Sequence, residues 1–245
     1  MLGSDPIVLG AAFFVIAALY SVTGHGGASG YIAVMVLLGM APQEIKPLAL
    51  SLNVIVSSMA AIQFYRAGHF RGNLFWPFVA GSVPLAMAGG YLQLPTHWFN
   101  LLLGIVLIFS ALRIAIKPTP DSDLRQPSLL VALLAGSFIG FISGLIGIGG
   151  GVLLTPLLLL MGWANPRQAA AVSAPFILLN SLSGLAGLGA KAALIIPAAM
   201  IVLSLCVFFG GLLGSYLGSR TLPMKAISRV LSVILLIAGF KLFYV

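Results

Sequence analysis

The sequence predicts an all-α fold, a polytopic transmembrane helical bundle built from two inverted repeats, each with a glycine-broken helical hairpin. Three observations predict it. Of 245 residues, 60% are apolar and only 7% are charged, and the mean hydropathy is +1.16. Uncharged apolar runs of about 20 residues recur, the length a helix needs to cross a bilayer core of about 30 Å. A glycine-rich interruption, Gly24-His25-Gly26-Gly27-Ala28, returns 123 residues later as Gly147-Ile148-Gly149-Gly150-Gly151. A transmembrane barrel would alternate apolar and polar residues, and stretches such as 101–108 and 231–239 do not.

The elements follow in order. Apolar segments fall at 6–23, 28–40, 47–65, 74–93 and 98–116 and make up the first repeat, residues 1–116. A polar connector, 117–127, carries Pro118, Pro120, Asp121, Asp123 and Pro127 and reads as a solvated linker. The second repeat, residues 128–245, restarts the pattern with segments at 128–146, 151–162, 169–188, 194–218 and 224–244. Landmarks recur in the same order: Gly39 with Gly162, Pro42 with Pro166, Ser51 with Ser173, Gly89-Gly90-Tyr91-Leu92 with Gly214-Ser215-Tyr216-Leu217, and Pro95 with Pro223. Segments 28–40 and 151–162 reach only about 20 Å at 1.5 Å per residue, too short to span upright.

Charge sets the orientation. If the pieces around each break form a hairpin, nine basic residues fall on one face: Arg66, Arg71, Arg113, Lys117, Arg125, Arg167, Arg220, Lys225 and Arg229. Lys46, Lys191 and Lys241 fall on the other. Single crossings at the breaks would give seven against five, so the positive-inside rule favours the hairpins. Each half then crosses an odd number of times, which inverts the repeats. Both termini lie outside and the linker is cytoplasmic, in a multi-pass protein of the cell (inner) membrane. The net charge of +8 is thereby explained without nucleic acid, and no run of basic residues exists. Residues 1–6 lack the basic start of a signal peptide. Cys206 is the single cysteine, which excludes an intrachain disulfide and paired-thiol redox chemistry.

Glycine breaks in lipid-depth sequence bare backbone amides, which the bilayer tolerates only where they are buried in protein or line a polar cavity. Successive N–H groups converge into an anion nest, and the helix after the break adds its positive dipole end. Two matched breaks in two halves point to a transporter site near mid-membrane. The expected ligand is a small anion. No Lys, Arg, Asp or Glu lies mid-segment, so neither a buried cation nor a carboxylate relay serves the site. The sequence implies no cofactor and no metal. Candidate binding residues are Gly24, His25, Gly26, Gly27, Ser29, Ser51, Asn53, Gly147, Gly149, Gly150, Gly151, Ser173 and Asn180, with Ser57 and Thr155 as further donors.

Each has a structural alternative. Glycines serve close helix packing, as expected for Gly210 and Gly214, though packing rarely asks for three in four residues. Membrane serines bond a carbonyl one turn back. Asn53 and Asn180 could bind substrate or join helices. His25 either charges the first nest at low pH or stays neutral and bonds a carbonyl. His69 and His97 read as interfacial and Cys206 as a small buried hydrophobe. Trp76, Trp98, Trp163, Tyr65 and Tyr244 read as interfacial anchors.

The motif Gly-Ile-Gly-Gly-Gly at 147–151, then Thr155-Pro156, Gly162 and a serine-bearing segment after Asn165-Pro166, resembles the sulfite exporter TauE/SafE family over nearly the whole chain. The first half repeats the pattern more loosely. His25 stands for Ile148, Ala28-Ser29-Gly30 for Gly151-Val152-Leu153, and Ala33 for Pro156. The resemblance implies a secondary membrane transporter, an exporter of sulfite, sulfoacetate or another sulfonate. Both breaks would sit at its centre, and one repeat would move against the other in alternating access. The two nests would be unequal. A passive anion channel could use the same nests. An intramembrane serine protease built on Gly27-Ala28-Ser29-Gly30 is a remote alternative, because no histidine is evidently placed to serve Ser29. The implied partners are a small anion and the lipid bilayer; monomer and homo-oligomer both remain open.

Overall fold

Proline and glycine punctuate the helices. In a computed structural model, described for residues 6–114, 124–190 and 200–221 with Leu236 and Phe240, the chain forms α1 (Pro6–Val22), α2 (Ala28–Leu37), α3 (Pro42–Arg66), α4 (Gly72–Tyr91), α5 (Thr96–Ile114), α6 (Leu129–Ile146), α7 (Gly151–Leu160), α8 (Pro166–Ala190) and α9 (Met200–Arg220). Most of the linker, Lys117, Lys191, Pro223, Lys225, Arg229, Lys241, Tyr244 and nearly all of segment 224–244 lie outside the described residues. All described regular structure is helical.

The expected segments appear with small shifts. α3 and α8 start at Pro42 and Pro166, earlier than their hydropathy suggests, because proline suits the first turn of a helix, where an N–H would have no partner. Both are 25 residues long. α2 and α7 have 10 residues each, about 15 Å, and are too short to span. Gln43–Arg66, Leu129–Ile146, Pro166–Ala190 and Met200–Arg220 are long and apolar enough to cross a membrane.

α3 and α8 pack on each other at the centre. α1 pairs with α9, and α4 with α6. Small residues make both pairings close. A Cβ at Gly136, Gly140 or Gly144 of α6 would strike the carbonyl of Phe78, Ser82 or Ala86 on α4. A Cβ at Gly210, Gly214 or Gly218 of α9 would strike that of Phe14, Ala18 or Val22 on α1. Such spacing lets backbones touch where lipid supplies no hydrophobic drive. The outer faces are apolar instead. Phe138 of α6 is 67% exposed and Ile201 of α9 is 73% exposed, as lipid-facing side chains would be. Tyr65, Trp76 and Trp98 are exposed near helix ends, in keeping with the anchor reading.

One cation departs from expectation. The hydropathy pattern puts Lys46 outside any segment, yet it lies in the second turn of α3 and is buried. Its ammonium donates to the carbonyls of Gly89 and Gly90 at 3.1 Å and of Leu92 at 3.0 Å. These carbonyls close α4, where the helix dipole is negative and the last acceptors lack intrahelical partners. A buried charge is tolerable there because neighbouring dipoles replace its water.

Candidate functional site

Each glycine break turns the chain at the end of a helix. In the first, His25 N–H donates to Tyr20 O at 3.0 Å and Gly24 N–H to Ser21 O at 3.0 Å, closing α1. The first turn of α2 then lies back along α1, with the rings of Phe13 and Tyr31 stacked at 4.9 Å. Gly147 caps α6, its N–H donating to Ser143 O at 2.7 Å. Gly27 and Gly150 precede α2 and α7 in the left-handed region, at φ 95° and 83°. Residues with a Cβ rarely adopt that region, so glycine is required at both N-caps.

The two breaks meet. A Cβ on Gly26 would collide with Asn53 Oδ1 and come within 3.1 Å of Ile177. A Cβ on Gly149 would come within 2.5 Å of Asn53 Nδ2 and 2.8 Å of Ile177. One residue of α3 and one of α8 therefore touch both breaks. Asn53 also ties them by hydrogen bonds. Its Oδ1 accepts from Ala28 N–H at 3.0 Å, and its Nδ2 donates to Ile148 O at 3.2 Å. Ser181 Oγ lies 3.5 Å from the same Nδ2. His25 reaches across from the first break, its Cδ2 3.8 Å from the point a Gly151 Cβ would occupy.

What remains is rich in donors. Ala28 N–H is committed to Asn53, which fills part of the first nest. Among the described residues, the N–H groups of Gly26, Gly27, Ser29 and Gly30 find no protein acceptor, nor do those of Ile148, Gly149, Gly150, Gly151 and Val152. Both N-cap glycines lack the side chain that would otherwise cap these amides. The side-chain oxygens of Tyr20, Ser21, Ser29, Tyr31 and Ser143, and His25 Nε2, are buried without a partner among the described residues. Tyr20 lies beside Ser29, and Tyr31 lies under Gly27. Most of these groups lie at or near the first break, with Ser143 near the second.

The other candidates sit elsewhere in the bundle. Asn180 on α8 donates to Ser82 of α4 at 3.0 Å and to Phe176 O at 2.8 Å, a helix-to-helix tie, with Oδ1 unpartnered. Ser173 accepts from Thr155 Oγ1 at 2.7 Å and joins α8 to α7. Ser51 is half-buried on α3. None of the three bonds to a break. Ser57 donates to the carbonyl of Asn53, one turn back. α3 and α8 start 124 residues apart, which pairs Ser51 with Pro175 and not with Ser173. Among the described residues, no three His, Cys, Asp or Glu side chains gather as a metal site would require. The protease alternative fails on geometry. His25 Nδ1 is bonded to Thr23 Oγ1 at 2.7 Å and its Nε2 has no partner among the described residues, so His25 does not serve Ser29 as a base.

Sequence reasoning missed Tyr20, Thr23, Tyr31, Lys46, Ile177 and Ser181. Tyr20 and Tyr31 carried a readable signal: tyrosines deep in apolar runs, each within a turn of a break. Ile177 carried none, because an isoleucine in an apolar helix is unremarked.

Comparison with known proteins agrees with this picture. The family model described as sulfite exporter TauE/SafE matches residues 9–242. A Sinorhizobium fredii protein named "Probable membrane transporter protein y4hK" is 38% identical over 98% of this chain and 99% of its own length. Bacillus subtilis "Probable membrane transporter protein YunE" is 27% identical, over 82% of this chain and 83% of its own. No solved structure gives a significant match. With glycine-broken helices meeting inside an apolar bundle and a family match across almost its full length, the chain belongs to the sulfite exporter TauE/SafE family and is a multi-pass membrane transporter, not an enzyme.

Proposed function

We propose that this transporter carries a small sulfur oxyanion, such as sulfite, sulfoacetate or another sulfonate, out of the cell by alternating access. The observation that carries the reading is the convergence of two glycine breaks, most of whose amides have no acceptor among the described residues. Backbone N–H groups and helix N-termini hold an anion without a buried fixed charge. Broken helices meeting at mid-membrane are the usual architecture of such sites. The two halves are then inverted repeats, related by a pseudo-two-fold axis passing near Asn53 and Ile177. The basic residues favour termini outside the inner membrane and a cytoplasmic linker.

Packing suggests which parts move. α1 is closed onto α9, and α4 onto α6, so each pair crosses from one half of the chain to the other. Rocking of these pairs about the central α3 and α8 would expose the breaks to one side and then the other. This differs from the motion of one repeat against the other that the sequence suggests.

The test is a thermal-shift screen of the purified protein with sulfite, sulfoacetate, thiosulfate, sulfate and simple carboxylates. Stabilisation by a sulfur oxyanion is expected, and Gly149→Val should abolish it. No shift with any of these ligands would overturn the anion reading. Counterflow in liposomes would separate a carrier from a channel, which would show ohmic current instead.

A further inference from the structure

The hydrogen bonds of Thr23 determine which nitrogen of His25 carries the proton. Thr23 Oγ1 lies 2.9 Å from Tyr20 O, and a carbonyl can only accept, so the single hydroxyl proton points there. The same oxygen lies 2.7 Å from His25 Nδ1. With its proton spent, Oγ1 must accept from Nδ1–H. Neutral His25 is therefore the Nδ1–H tautomer, and Nε2 holds a bare lone pair. That lone pair is buried, has no hydrogen-bond partner among the described residues, and belongs to a ring that reaches from the first break to Gly151 of the second. An acceptor there opposes an anion. Adding one proton turns it into a charged donor at the same point.

We infer that His25 takes up one proton at Nε2 whenever an anion binds between the breaks, making the protein a proton-coupled anion carrier. The proton comes from water on the side of entry and leaves to water with the anion on the side of exit. One monoanion and one proton then cross together without net charge. The surroundings leave this role to His25. From α1 it is faced by Tyr20, edge-on at 6.4 Å, and Tyr20 in turn lies beside Ser29 of α2. Asn53 from α3, Gly151 from α7, and Ile177 and Ser181 from α8 are neutral. The cation nearby on α3, Lys46, packs on Gly147 and directs its ammonium to the end of α4. Glu44 is exposed at the start of α3.

This inference rests on the anion reading above, and one experiment separates the two. Methanesulfonate stays ionised between about pH 5 and pH 8, so only the protein can titrate across the range where histidine does. Its binding to the intact protein in nanodiscs is followed by calorimetry in buffers of different ionisation enthalpy. About one proton should be taken up per anion, and the affinity should fall about tenfold per pH unit above the transition. His25→Gln should bind with no proton uptake and no pH dependence. Thr23→Val frees the ring to carry its neutral proton on Nε2, so uptake should fall and binding at high pH should tighten relative to wild type. Binding by wild type without proton uptake overturns the inference and leaves the anion site standing, whereas no binding at any pH overturns both. Unchanged uptake in either variant also overturns the inference.

Discussion

The side-chain amide of Asn53 donates to the carbonyl of Ile148 at 3.2 Å, tying a helix of the first half of the chain to the glycine break of the second. The same side chain accepts from Ala28 N–H in the first break. Asn53→Leu keeps the volume and removes both bonds, leaving a buried N–H and C=O unpaired at about 1–3 kcal/mol each. The melting temperature should fall by several degrees and transport should be lost. Asn53→Asp retains the acceptor for Ala28 and adds negative charge at the breaks. Anion affinity should then drop about tenfold or more, well beyond the loss in stability, because a like charge at close range in a dry interior repels strongly. Calorimetry alongside thermal melting separates the two effects.

Gly149→Ala should be damaging out of proportion to its size. Its φ of 75° strains any residue with a Cβ, and the new atom would press on Asn53, Ile177 and Ser181. Gly189→Ala is the control, since a Cβ there meets nothing within 4 Å. The control should be neutral or stabilising by about 0.5–1 kcal/mol, as usual for Gly to Ala in a helix. Comparable melting curves for the two variants would contradict the packing described for the breaks.

Lys46→Met keeps the aliphatic stem against Gly147 and deletes the ammonium. The carbonyls of Gly89, Gly90 and Leu92 lose their donor. A loss of about 1–3 kcal/mol is expected for buried acceptors left unpaired. Hydrogen exchange should rise first at the end of α4, because that is where the lost bonds lie.

His69 lies in the connection between α3 and α4, and partial burial, followed by the positive charge of Arg167, holds its pKa below the ordinary histidine value. The unfolded chain therefore binds this proton more readily than the folded one. Stability from this site is present above the unfolded value of about 6.5 and declines as the pH falls through it. Arg167→Gln should move the His69 pKa upward in an NMR titration. A downward shift would contradict the cause assigned here.

Much of the architecture was legible because bilayers restrict the options. Hydropathy located the helices, and prolines and glycines marked their ends to within a few residues. Both breaks were visible because three glycines in four residues have little use in a continuous helix. The partners of those breaks were harder to read. Asn53 drew notice as an amide in lipid-depth sequence, but the Ile177 that shares its position is indistinguishable from any core residue. Lys46 was misplaced because a hydropathy window ends a helix at a charge, whereas the chain continues it and supplies carbonyls for the ammonium. Ser173 and Asn180 join helices by their hydrogen bonds, a use of serine and asparagine that sequence alone does not separate from ligand binding. Ser51 and Ser173 lie at different distances from the starts of α3 and α8, and the turn before α8 is one residue longer than that before α3.

The closure of α1 onto α9 bears on how the protein is made. α1 emerges from the ribosome long before its glycine-rich partner α9, with seven helices translated between them. At about 5–20 residues per second, that leaves α1 waiting for something on the order of ten to forty seconds. During that interval its groove-facing side, with Phe14, Ala18 and Val22, has only lipid or an insertion factor for company. α4 meets α6 much sooner. Biogenesis therefore has a built-in order, and a chain stalled before α9 would present an unfinished edge that membrane quality control could recognise.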